Sequence, residues 1–171
     1  MSTDAPSRSI VVGVSPGQPD SVVEQAAFFA SHFGAELVCA YADTGRYTVE
    51  ERPDGTVQSM PIDPDLPVPS ESAFPAELQD RLSTILGTRG TAWSTRVLAG
   101  DPANALGHLA ETLDALMIVI GTRRASMRGS VQEFFNGSVA VHLAHRQHRP
   151  VVVIPLSPVA TEDSLPWEAA P

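Results

Sequence analysis

The sequence predicts an α/β protein built on an open, doubly wound parallel sheet of five strands in the order 3-2-1-4-5. Three observations carry this expectation. Five short, apolar, β-branched runs recur along the 171 residues. Amphipathic helical segments separate most of them, and alternation of that kind closes as right-handed βαβ crossovers that cover both faces of a parallel sheet. No run approaches the ~20 apolar residues that a membrane helix requires.

Ser9-Ile10-Val11-Val12-Gly13-Val14 is the first strand, followed by the turn-forming Ser15-Pro16-Gly17-Gln18-Pro19. Asp20 or Ser21 can cap a helix over 21–33, with Val22, Val23, Ala26, Ala27, Phe29, Ala30 and Phe33 on one broad face and Gly34 after its last turn. Glu36 to Ala42 is strand two. Residues 43–75 then change character, with six prolines and seven acidic residues against two arginines. They read as a long surface excursion, at most an exposed hairpin around Pro53-Asp54-Gly55.

A helix resumes near Pro75, with Leu78, Leu82, Ile85 and Leu86 on one side, and ends in the Gly87 to Gly90 region; strand three follows at Ala92 to Leu98. Asp101-Pro102 is a helix start, a carboxylate cap followed by proline in the first turn. Leu116 to Ile120 is strand four, ended by Gly121. Gly137-Ser138 opens a helical segment with Val139, Val141, Leu143 and Ala144, and Val151 to Ile154 is strand five, closed by Pro155. The domain therefore spans 9–155, with 43–75 as an insertion, 1–8 as a flexible N-terminus and 156–171 as an acidic tail.

A formal charge of −9 and a pI near 4.8 exclude nonspecific binding to nucleic acid or an anionic membrane. One cysteine, Cys39, rules out an internal disulfide and reads as inert strand packing. The polar MSTDAPSRS start and the missing apolar span point to the cytoplasm. No enzyme signature is present. Ser130-Val131-Gln132-Glu133 fits a capping box, no nucleophile elbow occurs, and Phe134-Phe135 reads as packing. His142, His145 and His148, spaced by three beside Arg146, lack accompanying carboxylates or thiols and read as a polar helix face; no metal site is expected.

In the expected strand order the switch point lies between strands one and four. Ligands of such sheets bind outside the carboxyl ends of the strands at that point, here the loops after Val14 and Ile120. The helix opened by Gly137-Ser138 would direct its free amides toward the same crevice.

IVVGVSPG, a second strand ending in YAD, LAGDPANALGHLAE, IVIGTR and NGSVAVHLAHRQHRPVVVIP, in this order over most of 9–155, resemble the universal stress protein family. The resemblance implies a Rossmann-like, adenine nucleotide alpha hydrolase-like fold, a homodimer paired through the last strand (150–156), and a non-catalytic regulatory module, many relatives of which bind ATP or AMP. Nucleotide-binding members carry a glycine, two residues, a second glycine, nine residues, then glycine with serine or threonine. Gly121 matches the first glycine, Arg123 a phosphate-loop side chain, and Gly137-Ser138 the final pair, with Val139 beside it. Gly13, Val14 and Ser15 match the loop after strand one, and Tyr41 the position whose backbone holds adenine.

Arg124 stands where the second glycine belongs, 12 residues precede Gly137, and Ser15 replaces the family's usual aspartate. Two readings stay open. In one, Arg123, Arg124 and Arg128 replace glycine amides as the grip on ATP, AMP or another phosphorylated ligand. In the other, the arginines are solvated or paired with the acidic insertion, nucleotide binding is lost, and the dimer works through contact with a regulatory protein partner. A slow nucleotide hydrolase would need a base that the sequence does not display.

Overall fold

The structure, a computed structural model, describes residues 8–65, 73–122 and 139–156. In chain order the elements are β1 (Ser9–Gly13), α1 (Ser21–Phe33), β2 (Glu36–Asp43), β3 (Arg46–Glu51), β4 (Val57–Pro61), α2 (Ala76–Leu86), β5 (Trp93–Ala99), α3 (Pro102–Thr112), β6 (Met117–Gly121), α4 (Val139–Arg146) and β7 (Val151–Ile154). The main sheet runs β5-β2-β1-β6-β7, parallel throughout. Counted without the hairpin strands, this is the expected 3-2-1-4-5.

Side chains alternate across a strand, so each apolar run feeds two cores. Ile10 and Val12 of β1, Leu37 and Cys39 of β2 and Val119 of β6 face α1 and α2, where they meet Val22, Ala26, Leu82 and Leu86. Val11, Val38, Ile118 and Ile120 point the other way, onto Leu106 and Leu109 of α3 and Leu143 of α4. A strand buried on both faces cannot alternate apolar with polar, and its sequence is therefore one unbroken apolar run.

Helix starts follow the sequence in one case and depart from it in another. The Asp101 carboxylate accepts the Asn104 N–H at 2.9 Å, with Pro102 in the first turn. Asp20 holds the position before α1 but already has helical dihedrals and makes no capping bond. Its carboxylate instead takes Arg81 of α2 at 2.5 Å, a tie between helices that a local cap pattern does not reveal. Phe33 is also not on the buried face of α1, being 47% exposed.

The proline-rich insertion forms the antiparallel hairpin β3–β4, turning through Arg52 to Thr56. It is not simply exposed. Its inner face rests against β5 and α3. Arg46 is buried, with Nε donating to Ser59 Oγ at 2.9 Å and Nη2 to the Ser59 carbonyl at 2.8 Å. Arg96 Nε donates to the Asp54 carbonyl at 3.0 Å. Glu51 accepts the Thr112 hydroxyl at 2.8 Å and faces His108 Nε2 at 2.6 Å. Gly55, at φ +77°, lies so close over Leu109 that a Cβ there would overlap its Cδ1. No helix among the described residues is long and apolar enough to cross a membrane.

Candidate functional site

Strand register assembles the crevice. The Val14 N–H donates to the Ala40 carbonyl at 2.9 Å, extending the β1–β2 ladder one residue past β1 and setting Tyr41 beside the Gly13-Val14-Ser15 turn. On the other flank Val12 pairs with Val119, so Gly121 stands level with Val14. Gly13, Val14, Ser15, Tyr41 and Gly121 thus meet at the carboxyl edge, where the strand order reverses between β1 and β6. Val139 opens α4 with its side chain half-buried in the α3-side core. Arg123, Arg124, Arg128, Ser130, Phe134, Phe135, Gly137 and Ser138 lie outside the described residues.

The two glycines are packed from opposite layers. A Cβ on Gly13 would stand 3.0 Å from Leu106 Cδ1 and 3.3 Å from Ile120 Cγ2. One on Gly121 would stand 2.9 Å from Val22 Cγ2, 3.1 Å from Gln18 Nε2 and 3.1 Å from Leu156 Cδ1. Gln18 also reaches back over the turn, its amide donating to the Gly13 carbonyl at 3.4 Å. Leu156 is tied over the end of β6, because its N–H donates to Thr122 Oγ1 at 2.8 Å while the Thr122 N–H donates to the Ile154 carbonyl at 2.9 Å. Gln18 and Leu156 are crevice residues that the sequence analysis did not single out. Gln18 lay in the noted turn, whereas Leu156 carried no signal beyond its place after Pro155.

Tyr41 turns its ring into the core beneath α1 and α2, edge-on to Phe74 at 6.3 Å and 73°. Its backbone remains in the ladder opposite Val97 of β5. Between the Ser15–Gln18 turn, α1 and α2 a cavity of about 10 Å³, on the scale of one water, lies among Ser15, Gln18, Asp20, Val23, Leu78 and Arg81. A larger one of about 40 Å³ lies away from the crevice, between the hairpin and α3, lined by Thr48, Glu51, Val57, Leu98, Ala105 and His108.

Reactive groups are sparse. Cys39 is fully buried, and burial pushes its thiol up to about 12, which keeps it protonated and unreactive. α4 ends at Arg146, so His148 falls in the bend beyond the helix and the three histidines do not share one helix face. Among the described residues no group of three His, Cys, Asp or Glu side chains is placed to hold a metal ion.

Five parallel strands in this order, with helices on both faces and the order reversing between β1 and β6, define a doubly wound α/β domain. The chain belongs to the universal stress protein family, whose profile matches residues 6–155. It is similar to a universal stress protein solved in complex with cAMP, at 21% identity and TM-score 0.62, covering 90% of this chain and 100% of the other. One from Archaeoglobus fulgidus matches at 20% identity and TM-score 0.57, over 86% and 93% of the two chains. A universal stress protein from the same organism in complex with dAMP matches at 18% identity and TM-score 0.54, over 88% and 99%. At these identities the structural likeness shows the fold alone. No curated protein matches the chain.

Proposed function

We propose that this universal stress protein binds an adenine nucleotide, ATP or AMP, or another phosphorylated ligand in the crevice bounded by Gly13, Val14, Ser15, Tyr41 and Gly121, and acts by occupancy without turnover. The observation that carries the reading is the strand register, which brings those residues level at the switch point. The relatives solved with cAMP and dAMP support it. In this reading Arg123 and Arg124, with the amides of Gly137, Ser138 and Val139, grip the phosphates, while Gln18 and Leu156 move aside. Residues 9–155 form the working domain with 43–75 as its insertion and 156–171 as a tail. A cytoplasmic homodimer pairs through β7, an edge strand whose Val153 is 40% exposed.

Calorimetry of the full chain tests the ligand. ATP and AMP should bind more tightly than adenosine, and Arg123→Ala with Arg124→Ala should remove charge-assisted bonds worth about 1.5–3 kcal/mol each before solvent screening. No heat and no competition among these nucleotides at millimolar concentration would reject the crevice. Equal binding of adenosine and ATP would reject the arginine grip alone.

A second reading has its own support in the packing of Val22, Gln18 and Leu156 against Gly121. There the chain fills its own crevice, and the dimer works through protein contact without nucleotide.

A further inference from the structure

The hairpin has two unlike faces. Pairing alternates along it, so Arg46 and Ser59 turn inward while Tyr47 and its partner Met60 turn outward, with the Tyr47 hydroxyl 3.8 Å from Met60 Sδ. Val49, the extra residue of the bulge between Thr48 and Glu50, is also outward. Ile62 joins this face because its N–H continues the ladder to the Gly45 carbonyl at 2.9 Å. Tyr47, Val49, Met60 and Ile62 are 49%, 54%, 51% and 63% exposed, one contiguous apolar face on a two-stranded ribbon. Glu51 on Thr112 and the Asp54 carbonyl on Arg96 already hold the ribbon against α3 and β5, so little ordering cost remains for a partner.

The rim is acidic. Glu50 shares the outer face, Asp63 and Asp65 flank its base, and Asp54 stands at the tip, held below the usual carboxylate range mainly by the Thr56 hydroxyl. Arg52 is the opposing exposed charge on the ribbon, since the Arg46 guanidinium is turned inside. A second copy of the chain would set acids against acids in a molecule of net charge −9. The tail after Pro155 carries three acids and no base, so it is repelled as well. We propose that this face docks a cationic amphipathic segment of another protein, its apolar side chains on Tyr47, Met60 and Ile62 and its lysines or arginines over Glu50 and Asp63. This surface is separate from the crevice and stands whether or not a nucleotide binds there.

The test titrates the full chain with a short amphipathic leucine–lysine peptide, a leucine–glutamate counterpart and oligolysine. The leucine–lysine peptide should bind at micromolar concentration, and the other two should not. Tyr47→Ser with Ile62→Ser should weaken it about tenfold or more, as should Glu50→Lys with Asp63→Lys. Each altered side chain is exposed, so unchanged thermal midpoints separate lost binding from lost fold. No binding to the parent chain, undiminished binding to the Tyr47→Ser/Ile62→Ser variant, or equal binding of oligolysine would overturn the proposal. So would a lower oligomeric mass for that variant in sedimentation, which would assign the face to a second copy.

Discussion

Gly55 and Gly17 share a backbone conformation and differ in surroundings, and the pair isolates how firmly the hairpin is seated. Their φ values are +77° and +73°. Alanine at either pays the strain of a Cβ in the left-handed region, about 1–2 kcal/mol. Nothing lies within 4 Å of the new atom at Gly17, so Gly17→Ala should cost that and no more. At Gly55 the same atom overlaps Leu109 Cδ1 and comes within 3.6 Å of Leu113 Cδ2. Leu109 is 2% exposed, so its methyl has little room to swing away. Overpacking of this kind adds about 1–3 kcal/mol, an extra fall of about 2–12 °C in midpoint for a domain of this length. Urea titration at constant m would read the difference. Gly55→Ala in a Leu109→Ala background should cost no more than Gly17→Ala, because the obstructing atom is gone. If the hairpin lifts off locally before the sheet unfolds, trypsin should cut faster after Arg46, which is buried when the hairpin is seated, in Gly55→Ala. Equal costs at the two glycines together with unchanged proteolysis would refute the seating of the hairpin on α3.

Cys39 should resist thiol reagents at pH 8 in the native protein and react once urea unfolds it. Its unfolded thiol loses a proton near 9.0 while the folded one keeps it to about 12, so the unfolded chain binds fewer protons across that window and stability falls as pH rises. The chain has no lysine to obscure this slope, and Cys39→Ala should reduce it; an unchanged slope would contradict the burial argument. If the proposed homodimer through β7 forms, Val153→Lys places a charge on that edge strand and should yield monomers in sedimentation, whereas a persistent dimer would move the interface elsewhere and a monomeric parent chain would refute the pairing. Gln18→Ala with Leu156→Ala clears the space over Gly121 and should tighten AMP by about tenfold, the removal of a cost of about 1.4 kcal/mol for displacing the two side chains; unaltered affinity would mean that they do not obstruct the crevice.

The sheet was legible because burial on both faces leaves a plain signature. Ile10 to Val12 and Ile118 to Ile120 are at most 4% exposed, and runs of that kind between amphipathic helices leave few arrangements. The hairpin was legible as a turn at Pro53-Asp54-Gly55 but not as a docked element. Its anchors are Glu51 on Thr112 and the Asp54 carbonyl on Arg96, polar pairs 61 and 42 residues apart with no periodicity to betray them. Asp20 was misassigned for a related reason. A cap pattern looks three residues ahead, whereas the partner that won its carboxylate, Arg81, is 61 residues away.

The crevice divides in the same manner. Register alone placed Gly13, Tyr41 and Gly121 together, and register follows from apolar runs that a one-residue slip would turn inside out. What covers Gly121 did not follow, because Gln18, Val22 and Leu156 arrive from a turn, a helix and the segment after the last strand. Their approach supplies a reason for glycine at 121 that involves no ligand: the α1 layer packs where a side chain would be. Gly13 has the mirror reason in Leu106 and Ile120 on the α3 side. Glycine at these two strand ends is therefore favoured by the packing around it, and cannot by itself argue for phosphate. The case for a nucleotide rests on the switch-point geometry and on the arginines beyond β6, and removing Gln18 and Leu156 separates that case from the packing that glycine serves.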